Sequence, residues 1–256
     1  MSQPTSDEPL VALITGASHG IGAASAKALA ADGFKIVVTE FDDLNRLAET
    51  VRKVEATGSQ ALALSLDVRE QESIEQCFAD AISKFGHVDL LVNNAGVPEP
   101  RKPIVETTPA DWDVIIDVNV KGAFFVAQQF ARRLIEQERP GQVINLSSTF
   151  AYIGQSNISV YGISKTAMSG MTRMMAIEWA PLGIRANAVA PGSTLTESRA
   201  KSQLDPVRGP QMLAQIPMGR FGQPDDVSAA IRYLASPGAA YVNGHTLVID
   251  GALTVA

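Results

Sequence analysis

Residues 10–22 read LVALITGASHGIG. The apolar run Leu10–Ile14 is unbroken, as expected of a strand covered on both faces and not of one that alternates core and solvent. Thr15–Gly22 then opens a helical stretch that continues to about Asp32, where Gly33 supplies a stop. Glycines at 16, 20 and 22 give the spacing G-x-x-x-G-x-G. They let the backbone come close to a pyrophosphate facing the unpaired N–H groups of the helix start. The candidate contacts are Gly16, Ser18, His19, Gly20, Ile21 and Gly22. A loop that merely begins a helix has the same glycines; its place directly after the first strand favours the dinucleotide reading.

The same alternation extends outward from this unit. Strands are expected at Lys35–Thr39 and on to Glu40, Ala61–Leu66, Val88–Val92, Gln142–Leu146, Ile184–Val189 and Thr246–Ile249. Helices are expected over Asp43–Thr57, Glu70–Phe85, Pro109–Glu138, Ser159–Ala180 and Pro224–Ala235. Residues 191–223 read as a loop with short helices inside it. Repeated β-α units with apolar strands predict an α/β fold: a doubly wound parallel sheet, Rossmann-type, of about seven strands with helices on both faces. No repeat, linker or shift of composition divides the chain, so residues 1–256 are expected to form one domain with a polar tail at 1–9. Ligands of such sheets bind beyond the carboxyl ends of the strands.

Composition narrows the function. The chain has 256 residues, 46% of them hydrophobic, and a net charge of −6 without a basic run. Nucleic acid and anionic membrane are therefore not expected as partners. The first nine residues, MSQPTSDEP, lack an apolar segment of the signal-peptide kind, and no apolar stretch is long enough to span a bilayer. A cytoplasmic protein is the expectation. Cys77 is the sole cysteine and reads as a small core residue.

The reactive groups cluster in residues 145–165, NLSSTFAYIGQSNISVYGISK. A strand ends at Ser147-Ser148; Tyr161 follows thirteen residues after Ser148, and Lys165 four residues later. Tyr161 and Lys165 at i, i+4 share one helix face. An ammonium near a phenol favours the phenolate, so the phenol is expected to titrate below its ordinary value of about 10 and to exchange protons near neutrality. Ser148 is placed to offer a hydroxyl to the same reacting oxygen. Glu40, ending the second strand eighteen residues after Gly22, suits the hydroxyls of an adenosine ribose and repels a 2′-phosphate. Asp67-Val68, after the third strand, is placed to meet the adenine, and Asp there is equally a helix cap.

Taken in order, TGASHGIG at 15–22, NNAG at 93–96, Asn119 in DVNVKG, Ser148, YGISK at 161–165 and Pro191-Gly192 resemble the short-chain dehydrogenase/reductase family in its short form. The likeness runs from about Leu10 to Gly251. It implies reversible hydride transfer between a nicotinamide cofactor and a secondary alcohol or ketone. Tyr161 would be the acid/base, Lys165 would bind the nicotinamide ribose and lower the phenol's pKa, and Ser148 would orient the substrate oxygen. Asn119 would help hold a proton-relay water. Asn93, Ala95 and Gly96 would support the sheet and lie against the cofactor, Asp67 and Val68 would contact the adenine, and Pro191, Gly192, Thr194 and Thr196 would cradle the nicotinamide end. A homotetramer is the assembly the family implies, and Phe124, Phe125, Phe130, Met171 and Met175 are candidates for its apolar surface. No metal is called for.

Two departures bear on cofactor and substrate. His19 stands where many NADP-using relatives carry Arg, and with Glu40 this favours NAD, with NADP as the alternative. Arg139 fits the basic pattern of acyl-carrier-protein reductases, but Leu182 occupies a place where a second basic residue would be expected. The expected substrate is a small alcohol or ketone of sugar, polyol or hydroxy-acid type. An NADPH-dependent 3-oxoacyl-thioester reductase and a non-catalytic dinucleotide sensor are the alternatives. Substrate choice is expected to lie in residues 193–220 and near Pro98–Arg101, Phe150 and Gln155, with Lys102, Arg199, Lys201 and Arg208 as loop cations.

Overall fold

The computed structural model describes residues 8–256, so the expected tail at 1–9 lies outside the described residues except for its last two positions. Seven strands form one sheet: β1 (Val11–Ile14), β2 (Lys35–Glu40), β3 (Ala61–Ser65), β4 (Leu90–Asn93), β5 (Gly141–Leu146), β6 (Ile184–Pro191) and β7 (Thr246–Ile249). Their spatial order is β3-β2-β1-β4-β5-β6-β7, and every neighbouring pair is parallel. The chain therefore reverses its winding between β1 and β4, the place where a doubly wound sheet opens a crevice at its carboxyl edge. Helices α1 (Gly20–Ala31), α2 (Ala48–Glu55), α3 (Gln71–Phe85), α4 (Pro109–Ile116), α5 (Ala123–Glu136), α6 (Ser159–Trp179), α7 (Glu197–Gln203), α8 (Arg208–Leu213) and α9 (Pro224–Ala235) complete the framework.

The central strands are largely apolar along their middles because both faces are covered. In β1, Val11 and Leu13 enter a core shared with α3, α5 and α6, whereas Ala12 and Ile14 enter a second core under α1, α2 and α9. Phe78 of α3 and Phe130 of α5 are fully buried in the first core, with ring centroids 6.4 Å apart. Truncating either to Ala would cost about 3–5 kcal/mol through lost burial and the void left behind. Cys77 is buried beside them, its thiol pushed up to about 12 by burial, in keeping with a core role.

Two expected elements differ from what forms. The single helix anticipated over Pro109–Glu138 is α4 and α5 joined by a π-helical turn, Asp117–Gly122. Thr108 and Asp111 form a capping box that starts α4, and Gly122 lets the turn press against Val68, where a Cβ would lie 2.7 Å from Val68 Cγ2. The stretch Asp43–Thr57 begins instead as a 3-10 turn, Leu44–Leu47, because the Asp43 carboxylate caps Asn45 N–H at 2.9 Å. Within 191–223, the expected short helices are α7 and α8.

Of the expected surface residues, Phe130 and Met175 belong to the core, and Met171 packs partly against it. Phe124 and Phe125 are exposed, edge to face, and Met174 and Ile177 are exposed on α6. Among the described residues, no helix is long and apolar enough to cross a membrane.

Candidate active site

The site is assembled at the carboxyl ends of β1, β4, β5 and β6. Two buried threads hold these ends together. Asn93 donates to Ala123 O (2.9 Å) and Asn145 Oδ1 (3.0 Å), and Asn145 donates to Thr172 Oγ1 (2.9 Å). Asn94 donates to Thr15 O (2.8 Å) and Gly16 O (2.7 Å), while Thr15 Oγ1 accepts from Asn94 N–H (3.0 Å) and Ala95 N–H (2.9 Å). Asn93 is thus a support beneath the site, buried, with its side-chain amide donating to both partners. Asn94 was not anticipated, although it does more than Asn93 to shape the glycine loop.

That loop has the form of a phosphate cradle. Gly16 and Gly20 take φ of +61° and +58°, where a side chain would be strained. A Cβ on Gly22 would meet Asn94 Nδ2 and Gly16 O at 2.6 Å each. Thr50 on α2 fixes the loop from outside through Oγ1 to Ala17 O at 2.9 Å. His19 has no side-chain capping bond to α1, its ring lying 3.5 Å from Ser18 Oγ, so the helix's first N–H groups are left to other acceptors. Gly20 N–H donates to Glu197 Oε2 at 3.1 Å. A carboxylate from α7 therefore stands on the anion-binding end of α1, and the Thr196 methyl lies over Gly20.

At the adenosine end, Glu40 closes β2 as expected, its side chain largely buried. Its Oε1 accepts from Phe41 N–H (3.1 Å) and lies 3.6 Å from Arg46 Nη1. Asp67 follows β3 and is paired with an arginine. Arg69 takes both its oxygens, Nε to Oδ1 at 2.9 Å and Nη2 to Oδ2 at 2.7 Å, and holds the carboxyl below its ordinary range while stacking on Phe41. Val68 is buried against Gly122. Neither Arg46 nor Arg69 could be foreseen, since nothing in spacing shows which loop guanidinium turns inward.

The reactive groups converge on one side of this cradle. Ser148 caps the short 3-10 turn Thr149–Ala151, and its Oγ accepts from Phe150 N–H at 3.3 Å. Tyr161 lies in the first turn of α6, edge-on to Phe150, and Lys165 follows one turn later, buried, with Nζ donating to Leu146 O at 2.7 Å. The phenol does not titrate low as expected: burial pushes it up, and the Arg199 charge and the Ser148 hydroxyl pull only partly against that. Lys165 contributes little because its Nζ is committed to Leu146 O, 5.6 Å from the ring centroid, and burial lowers its own pKa to about 8.

Asn119 sits in the π turn with its side chain spent on structure. Oδ1 accepts from Val97 N–H at 2.8 Å, and Nδ2 donates to Val97 O at 3.1 Å. It fixes the segment after NNAG, and a Cβ on Gly96 would lie 3.1 Å from its Oδ1. A relay role is left to its main chain, in a turn where the π register shifts carbonyls out of the α pattern. Pro191 and Gly192 end β6, Gly192 in contact with Asp250. Thr194 is buried, its carbonyl bound by Gln203 Nε2 at 3.1 Å and its hydroxyl donating to Gly192 O at 3.3 Å, so it braces the loop. Thr196 is the N-cap of α7.

The family pattern described as enoyl-(acyl carrier protein) reductase matches residues 16–254. The chain belongs to the short-chain dehydrogenase/reductase family. Among its relatives in that family, the 2-dehydro-3-deoxy-D-gluconate 5-dehydrogenase of Escherichia coli (strain K12) is 37% identical over 244 residues, 95% of each chain. The 3beta-hydroxysteroid dehydrogenase 1 of Eggerthella lenta is 38% identical over 95% of this chain and 93% of its own. A crystal structure from Agrobacterium tumefaciens, provisionally named 2-deoxy-d-gluconate 3-dehydrogenase and holding NADP, superposes with a TM-score of 0.90 at 36% identity over the whole of both chains. As a short-chain dehydrogenase/reductase, the chain is an NAD(P)-dependent oxidoreductase acting on alcohols and ketones. Its glycine loop fits the dinucleotide: two glycines at positive φ, a third with no room for a Cβ, and a helix start without a side-chain cap.

Proposed function

We propose that this short-chain dehydrogenase acts as one domain on a secondary alcohol or ketone of sugar, polyol or hydroxy-acid type, prefers NAD, and uses Tyr161 as its acid/base. The observation that carries the reading is the convergence of Tyr161, Ser148 and Lys165 beside the glycine cradle. Sugar-acid relatives at 36–37% identity support the substrate class. Glu40 supports NAD, because a ribose hydroxyl can donate to it whereas a 2′-phosphate brings about two further negative charges.

When bound, the nicotinamide supplies the hydride acceptor or donor at its C4. The chain's residues handle the proton. In oxidation, the phenolate oxygen of Tyr161 takes the alcohol proton as the carbinol hydrogen leaves with its electron pair; in reduction, the phenol returns that proton to the carbonyl oxygen. Ser148 Oγ holds the same oxygen in place. Lys165 would bind the nicotinamide ribose, and release of Nζ from Leu146 O toward the site would favour the phenolate.

Arg139, the one residue in favour of an acyl-carrier substrate, lends that alternative no support. It is bound to Asp89 (Nη2–Oδ1 2.8 Å), which also accepts from Val11 N–H, at the amino ends of the strands and away from the site. A pure sensor would not need Ser148, Tyr161 and Lys165 together. The test is a panel of alcohols and ketones followed by nicotinamide absorbance. Tyr161→Phe should keep cofactor binding and lose about 10²- to 10⁴-fold in turnover; a variant turning over at the wild-type rate would sink the assignment.

A further inference from the structure

Helix α6 carries Tyr161 and lacks a local cap. Its N-cap, Ile158, has no side-chain acceptor, so the first N–H groups of the helix need partners from elsewhere. One comes from a distant segment: Glu99, 62 residues earlier, accepts the Tyr161 N–H through Oε2 at 2.8 Å. Glu99 is 8% exposed, and its Oε1 is buried with no partner among the described residues. A buried acceptor left unpaired is costly, and a neutral cap would avoid part of that cost. A carboxylate at the positive end of a 21-residue helix makes a stronger, charge-assisted bond.

The segment holding Glu99 is fixed on both sides. Val97 is clamped by Asn119 through two bonds, and Lys102 N–H donates to Asn157 O at 3.3 Å, just before α6 begins. At the other end of the same turn, Tyr161 O accepts from Ser164 Oγ at 2.7 Å. Tyr161 is thus held at its amide by Glu99, and Glu99 is held by the segment that leaves β4 toward the cofactor cradle.

We propose that Glu99 is a positioning residue for the reaction: it sets the distance between the Tyr161 phenol and the cradle by fixing the Tyr161 backbone. The inference rests on the reading of Tyr161 as the acid/base. Misplacement of a reacting group by about 1 Å can cost on the order of 100-fold in rate. Glu99→Ala should therefore lower kcat by about 10- to 100-fold while leaving the cofactor Kd, measured by fluorescence, within about twofold. Glu99→Gln, which keeps an acceptor, should recover most of the loss.

The deciding experiment is a double-mutant cycle on the full chain with the best substrate of the panel. If Glu99 acts through Tyr161, then Glu99→Ala added to Tyr161→Phe leaves the residual rate unchanged. A further loss equal to that of the single variant would overturn the proposal, as would wild-type kcat in Glu99→Ala. Should Glu99→Ala fail to fold, Glu99→Asp decides: it keeps the charge on a shorter arm, so reduced kcat with unchanged cofactor Kd is expected and wild-type kcat refutes. Full activity in Tyr161→Phe alone would instead remove the acid/base reading, a separate outcome.

Discussion

Replacing Glu40 with Ser should narrow the preference for NAD over NADP, and the structure sets how far. A 2′-phosphate bound at the end of β2 would bring about −1.5 to −2 charge toward the Glu40 carboxylate. At ~4 Å a like-charge pair costs about 4 kcal/mol at an effective dielectric near 20, and about 1 kcal/mol in water. The Glu40 side chain is only 12% exposed, which favours the larger figure, but Arg46 Nη1 lies 3.6 Å away and is itself 48% exposed. Its positive charge cancels much of the repulsion and can turn toward a phosphate. The net penalty is then roughly 1–2 kcal/mol, or about 5- to 30-fold in the ratio of kcat/KM for the two cofactors. Wild type should favour NAD by that factor, Glu40→Ser should bring the ratio close to one, and Arg46→Ser should widen it. Steady-state kinetics with both cofactors on all three proteins is the assay. Wild-type preference for NADP, or an unchanged ratio in Glu40→Ser, would refute the assignment of selectivity to Glu40.

Glu197→Gln removes a negative charge from the Gly20 N–H, where charges at helix ends are worth about 0.3–1 kcal/mol, so cofactor should bind roughly two- to fivefold tighter; fluorescence titration checks this, and weaker binding would show that Glu197 assists the cofactor. Lys165 titrates near 8 when folded and at its ordinary 10.5 when unfolded, so the unfolded chain binds more protons between those values and folding stability gains from rising pH there. Lys165→Met lacks this gain: its Tm relative to wild type should fall between about pH 8 and 10, and a pH-independent difference in Tm would contradict the burial of the charge. Exposed Phe124, Phe125, Met174 and Ile177 form apolar surface on α5 and α6 suited to self-association into a homotetramer; light scattering should give about four times 27.2 kDa, and a monomer mass at micromolar concentration would exclude it.

Much of the framework could be read from the chain because local signals and burial agree. Leu10–Ile14 is an apolar run of the kind a doubly covered sheet accepts, Lys35–Glu40 and Gln142–Leu146 have apolar centres, and their parallel pairing follows from the β-α repeats. Ser148, Tyr161 and Lys165 were legible because strand end and helix period fix them relative to one another. What escaped depends on contacts between segments distant in sequence. The phenol's titration depended on where Lys165 Nζ went, toward the Leu146 carbonyl nineteen residues earlier. Glu99 and Glu197 carry no motif; each matters through one long-range bond to a backbone amide. Phe130 and Met175 were assigned to a surface because helix periodicity alone does not say which side of a stripe meets the sheet.

The π turn at Asp117–Gly122 has a consequence for how this region tolerates change in length. A π turn carries one residue more than the α-helix it interrupts, and one residue corresponds to about 100° of rotation. The turn therefore works as a clutch between α4, which carries buried Ile115, and α5, whose buried stripe runs through Val126, Phe130 and Leu134. Removing a single residue from it would let a smooth helix form at no local cost, yet would swing Phe130 out of the core or Asn119 away from Val97. Point substitutions at the solvent-facing Lys121 should be mild, whereas a one-residue deletion beside it should be as damaging as losing the core phenylalanine itself. The coupling between sheet packing and the cofactor cradle is thus stored in the count of residues, independently of their chemistry.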